Sequence, residues 1–240
     1  MEQPVAKTIR IEQLRSQITR IEHGYPKEVV ERLSSGCPPL DTLLPQGGLL
    51  RGTLLEWLAE GSGTGAATLA VLAAREATCN GRALAVIDRR GQFYPPAAAR
   101  IGLDPRRVIL IRVATQADQF WAVDQSLRCE GVGAVLVWPR RLNARTFRRW
   151  QLAAEEGGTL GLLLRPATAR KEPSWAEIRV SVETLPTGVD ARRRLRLHLL
   201  RCRGPSAGRT LDVEIDDETH SVYPASQLAD PAPSRRAARA

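Results

Sequence analysis

Residues 60–70 read EGSGTGAATLA. Glycines alternate with small residues and a helix-forming run follows, the local pattern of a loop that wraps phosphate with backbone N–H groups at a helix start. A working loop of this kind follows G-x-x-x-x-G-K-[ST], in which the lysine neutralises the outer phosphates and the hydroxyl ligates magnesium. Set on its last glycine, Gly65, the chain has Ala66 in the lysine position and Ala67 in the hydroxyl position. Glu60 stands where the first glycine belongs, and Gly61 comes one residue late. Two methyl groups do neither job, and a carboxylate at Glu60 repels phosphate if it faces the loop. Gly61, Gly63 and Gly65 then serve backbone geometry, and the stretch is expected to be a retired phosphate loop kept as a strand-to-helix turn.

The other residues with reactive side chains do not gather into a catalytic set. His23, His198 and His220 are far apart, and His198 sits in an alternating segment where a structural role is expected. Glu155 and Glu156 close a helix before Gly157 and Gly158, which reads as a solvated helix end rather than a glycosidase pair. The acids Asp216, Asp217 and Glu218 read as a solvent-facing turn. Cys37, Cys79, Cys129 and Cys202 lack the paired spacing of a zinc site or redox dithiol, and are expected to be ordinary semi-buried residues of a reducing compartment. No metal or cofactor is called for.

Cations are more suggestive. Arg140, Arg141, Arg145, Arg148 and Arg149 crowd the segment after Trp138, while Leu142, Phe147, Trp150 and Ala154 favour another side of the same helix. Arginine bridges phosphate or carboxylate with two parallel hydrogen bonds, so this face reads as a contact for DNA phosphates or an acidic partner, with a solvated face as the plain alternative. Arg165, Arg170 and Lys171, in and beside the next loop, are candidates for phosphate contact. Arg192, Arg193, Arg194 and Arg196 read as a charged strand edge that blocks further pairing.

The elements that must position these residues follow from period. TLLEWL, RALAVID, RVILIRV, GAVLVW and TLGLLL are short apolar strands. ATLAVLAAREATC, YPPAAARIG, ADQFWAVDQSLRCEG and NARTFRRWQLAAEEGG are helices between them. Such alternation predicts a parallel sheet with helices on both faces. Beyond residue 175, AEIRVSVETL, RRRLRLHLLRCR and RTLDVEIDDE alternate with period two and predict antiparallel strands that extend the sheet. Ile11, Leu14, Ile18 and Ile21 mark one stripe of an N-terminal amphipathic helix within residues 1–29. The segment 226–240, containing ADPAPSRRAARA, reads as a disordered basic tail.

Composition sets the outer limits. At 240 residues and 43% hydrophobic, the chain can bury one substantial core. Lys and Arg number 35 against 26 Asp and Glu, which favours polyanions or acidic partners. No stretch approaches the length of a membrane span and the start lacks a secretion signal's apolar run, so a soluble, cytoplasmic protein is expected.

The succession SSGCPPLDTLLPQGGLLRGTLLEWLAEGSGTGAATLA, ALAVIDRRGQFYPPAAARIGLDPRRVILIR and QFWAVDQSLRCEGVGAVLVW resembles the RecA-type recombinase core from about residue 30 to residue 222. That resemblance implies a RecA-like α/β domain over 30–225. In RecA-like ATPases a glutamate two residues beyond the aspartate matching Asp88 activates water; here Arg90 takes that place. The strand GAVLVW matches one that ends in a magnesium-binding aspartate, and here it ends in Trp138. FYPPAAARIGLD, QFWAVDQSLR, the strand ending in tryptophan and RRWQLAAEEGG further resemble the ImuA family of RecA-like, non-recombinase accessory proteins of the bacterial mutagenesis cassette. The resemblance implies a non-catalytic role in damage-induced, error-prone translesion synthesis. Its implied partners are a polymerase-like ImuB protein, an error-prone C-family DNA polymerase, RecA as a further contact, and DNA through the basic surface. The recombinase's long DNA-binding loops correspond here to the short PRRLNA and RPATARKEPSW, which argues against recombinase-like filament loading. Two other readings stay open: an ATP-dependent DNA-binding enzyme with a divergent loop, and a cell-division inhibitor of the SulA type.

Overall fold

The computed structural model describes residues 31–60, 63–186 and 192–225. The expected N-terminal helix, Gly61 and the basic tail lie outside the described residues. Nine strands form one sheet in the order β11-β10-β9-β8-β3-β7-β6-β4-β5. Its parallel part consists of β3 (Leu54–Ala59), β4 (Ala83–Asp88), β5 (Val108–Arg112), β6 (Val132–Val137), β7 (Leu160–Pro166) and β8 (Ile178–Leu185). β9 (Arg193–Arg201), β10 (Thr210–Ile215) and β11 (Val222–Pro224) continue it as an antiparallel meander. A separate two-stranded ribbon pairs β1 (Arg32–Leu33) with β2 (Leu49–Leu50).

The central strand β3 is buried along its whole length, as its near-continuous apolar run requires when both sheet faces are covered. On one face, α2 (Ala66–Thr78) and α3 (Pro95–Arg100) cover a core containing Leu69, Leu72, Trp57 and Val86. On the other, α4 (Gln116–Arg128) and α5 (Ala144–Gly157) contribute Val123, Leu127, Phe147 and Trp150. Phe120 meets Trp150 edge to face, with ring centroids 5.4 Å apart, and locks the two helices together. The short α1 (Pro38–Leu43) starts with prolines, whose missing N–H costs nothing in a first turn.

Three expectations from the sequence change here. AEIRVSVETL, expected among the antiparallel strands, forms β8, which runs parallel to β3 and is antiparallel only to β9, because its alternating pattern suits a strand at the change of direction. The segment with Arg192 to Arg196 is no sheet edge: β9 lies between β8 and β10, and Arg194 and Arg196 pair across it with Glu214 and Asp212. The cysteines also divide. Cys37 is buried, and burial pushes its thiol up to about 12, whereas Cys79 and Cys129 are exposed. No helix among the described residues is long and apolar enough to cross a membrane.

Candidate functional site

In an open parallel sheet, ligands bind in the crevice beyond the carboxyl ends of the strands. Such a cleft, of about 610 Å³, is present here. Gly63 to Thr68 enter it after β3, Arg90 and Gln92 after β4, Trp138 to Arg140 after β6, and Leu164 to Pro166 at the end of β7. Because β9 runs the other way, its first residue, Arg193, reaches the same rim, where it is tied to Asp217 at 2.6 Å.

The turn into α2 is built around Gly65. It occupies the position before the helix with φ +82°, and a Cβ there would sit 2.5 Å from Leu195 Cδ1, so both conformation and space call for glycine. Gly63 also has positive φ but open space around it. Ala66 and Ala67 offer methyl groups to the cleft. Glu60 is exposed and lines a neighbouring depression with Pro166, Ala167 and Thr168 instead.

Arg90 is held by its neighbour two residues back. Buried Asp88 accepts the backbone N–H groups of Arg90, Gln92 and Phe93, each at 3.0 Å. Burial alone raises such a carboxyl's pKa, but the N–H donors of Phe93, Gln92, Arg90 and Gly91 outweigh it and hold Asp88 below its ordinary value. The strand-end aspartate is thus a loop organiser, and the side chain it presents to the cleft is a cation. Among the described residues, none that lines the cleft is Asp, Glu or Lys.

A second construction beneath this rim was missed from sequence. Glu56, fully buried in β3, pairs at 2.5 Å with both Arg165 of β7 and Arg179 of β8 and accepts the Ser174 hydroxyl at 2.9 Å. Arg165 reaches onward to Glu172, and Arg179 donates to the Ala169 carbonyl at 2.8 Å. The connection from β7 to β8, which includes a 3-10 turn at Ala167–Lys171, is thereby fastened to the sheet. This corrects the expectation for Arg165: its side chain is wholly buried and occupied, not offered to phosphates. Arg170 and Lys171 are exposed in that turn. The available signal was a charge inside each of three apolar runs, TLLEWL, LLLRP and EIRVSV, which only the strand order brings together.

The arginine cluster after Trp138 is also divided by the fold. Arg140 and Arg141 precede α5, which begins at Ala144, so only Arg145, Arg148 and Arg149 lie on the helix. Arg149 holds the Asp124 carboxylate with two bonds of 2.8 and 2.7 Å and staples α5 to α4, which makes it partly structural. Arg148 lies 5.3 Å from the centre of the Trp175 ring. Among the described residues no carboxylate pairs with Arg141 or Arg145, both exposed. No group of histidine, cysteine and acid side chains among the described residues could hold a metal ion.

No protein-family model matches the chain. Over 223 residues it is 28% identical to Protein ImuA of Caulobacter vibrioides strain NA1000 / CB15N, a match covering 82% of this chain and 90% of that protein, with the same figures for strain ATCC 19089 / CIP 103742 / CB 15. The chain is thus similar to the ImuA proteins over most of its length. Protein RecA of Chlorobaculum tepidum is 30% identical to this chain over 146 residues, covering 56% of the chain and 42% of that RecA. The crystal structure of the RadB recombinase superposes with a TM-score of 0.63 at 17% identity, covering 81% of this chain and all of that one, so the fold is RecA-like. Within this RecA-like fold the glycine turn, the Asp88 loop and the end of β6 converge on one cleft.

Proposed function

We propose that this chain is a member of the ImuA family, a non-catalytic accessory protein of damage-induced, error-prone translesion synthesis, which recruits or regulates a polymerase assembly through its surfaces. The observation that carries the reading is the lining of the cleft: Ala66 and Ala67 at the helix start, Arg90 where RecA-like ATPases use a glutamate, and Trp138 where they use a magnesium-binding aspartate. That donor set does not fit a magnesium nucleotide, because no carboxylate faces the place of the metal and no lysine faces the outer phosphates. One loss is compatible with a variant enzyme; three in one cleft favour a domain kept for its fold and exterior. The partners on this reading are a polymerase-like ImuB protein, a C-family DNA polymerase and RecA, with DNA contact through the exposed arginines, in the cytoplasm.

The test is binding of the purified chain to the polymerase-like protein with and without ATP and magnesium. The expected result is equal affinity in both conditions. Binding that requires nucleotide would return the chain to the class of nucleotide-dependent enzymes, and absence of any complex would remove the accessory role.

A further inference from the structure

The side of the α4–α5 pair that faces away from the sheet carries a cluster of side chains that the core does not explain. Trp121 on α4 is 64% exposed, Leu152 on α5 45% and Trp175 in the β7–β8 connection 43%; these are three of the six large apolar side chains exposed on the described surface. On α5 the spacing 145, 148, 152 places Arg145, Arg148 and Leu152 on one side, away from buried Phe147, Trp150 and Ala154. Trp175 is brought to that row by Arg148, whose guanidinium lies over its ring and whose Nη1 donates to Gln151 at 2.7 Å. At the other border, Trp121 is one turn before Asp124, the residue that Arg149 clamps.

The arrangement is held rigid before any partner arrives. The Arg149–Asp124 bonds and the Arg128–Glu156 pair fix α4 against α5, and the Glu56 network fixes the connection that bears Trp175. Tryptophan and arginine in a preorganised setting are the residues that dominate protein interfaces, since each buries a large area for little lost freedom. A nucleic-acid strand is the poorer occupant. Arg149 is neutralised by Asp124, Leu152 makes the C-terminal member of the row apolar, and exposed Glu155 puts negative charge beyond it.

We propose that this face docks an amphipathic segment of a protein partner, its bulky apolar side chains resting on Trp121, Leu152 and Trp175 and its acidic residues meeting Arg145 and Arg148. The unpaired charge of Arg145 and the cation exposed on Trp175 specify acid at that end of the segment, while Glu155 disfavours it at the other. The inference rests on the accessory reading above, and it names the surface and the chemistry through which that reading is carried out.

The experiment measures affinity of the purified polymerase-like ImuB protein, and separately of a single-stranded oligonucleotide, for the full chain and for three variants. These are Trp121→Ser combined with Trp175→Ser, Arg145→Glu, and Arg90→Ala as a control in the cleft, each checked for unchanged circular dichroism. The tryptophan pair is expected to weaken protein binding at least tenfold. Arg145→Glu should weaken it severalfold with a lower salt dependence, and Arg90→Ala should leave it unchanged. Oligonucleotide affinity should be the same in the tryptophan pair as in the wild type. Wild-type binding that survives both surface variants overturns this inference and leaves the accessory role standing. Loss of oligonucleotide binding with protein binding intact overturns it in favour of a nucleic-acid platform. A wild-type chain that binds no polymerase-like protein removes the accessory role and this docking face together.

Discussion

Glu56 joins three strands and a loop through one carboxylate, so its chemistry sets the sharpest expectation at the scale of single residues. In Glu56→Gln two buried guanidinium groups face a neutral amide, and removing one member of a buried ion pair costs about 3–5 kcal/mol. Urea unfolding should register that loss. Replacing the set together, with Glu56→Leu, Arg165→Met and Arg179→Met, should recover much of it, because no fully buried charge is left unpaired and the Glu172 carboxylate that loses Arg165 is partly exposed to water. Asp88 supplies a pH-dependent counterpart. Its folded-state pKa is depressed, so its stabilisation is complete above the unfolded value of about 3.9 and is lost as pH falls through the folded value. Asp88→Asn should therefore lower stability near neutrality and flatten the acid limb of the stability–pH curve below about pH 4, measured by thermal melts. What the sequence disclosed at this scale was identity at motif positions: Ala66 and Ala67 follow from the spacing of the glycine loop, and Arg90 and Trp138 from the resemblance to the RecA-type core. What it hid was pairing over distance. Arg165 read as a free cation because Glu56 is 109 residues away and becomes its partner only through the β3–β7 register.

Among the elements, legibility tracked length and period. Five of the six parallel strands and the long helices were visible because each buries a continuous or 3.6-periodic apolar set, whereas β8 alternates with period two and read as antiparallel although it pairs parallel with β3. The ribbon β1–β2 and β11 have two or three residues each, too few for a period to show, and they exist because neighbouring chain supplies their hydrogen-bond partners. The direction of β9 was also legible, but its place inside the sheet was not, since alternating Arg and Leu suit an edge as well as a ladder of cross-strand ion pairs. Helix α5 offers a local check on the docking face. Asn143 caps it by accepting the Thr146 N–H at 2.7 Å, and Asn143→Ala should cost about 1 kcal/mol. Because Phe147 and Trp150 still anchor the helix, the variant should retain partner binding within about threefold. A much larger loss would mean that α5 frays at the end where Arg145 must be held.

For the whole molecule, the decisive question is whether a RecA-like fold with this cleft turns over nucleotide. Gly65 and the parallel sheet preserve the route from β3 into α2, so the backbone still aims a helix start at the crevice. A helix start alone attracts an anion without performing phosphoryl transfer, which needs positioned charge and metal acting together. Ala66→Lys restores one of three missing parts. The new ammonium would add attraction for phosphate beside Arg90 and Arg140, but the loop that Asp88 organises still presents a guanidinium where a base is needed, and Trp138 still offers the metal no oxygen. Ala66→Lys is expected to gain at most weak nucleotide binding and to release no phosphate above a heat-inactivated control, with or without single-stranded DNA and magnesium. The wild type should release none under the same conditions. Magnesium-dependent release by the wild type that is abolished by Gly65→Ala, in protein shown to be folded, would place the catalytic acid and metal ligand on another subunit and make the chain an enzyme after all.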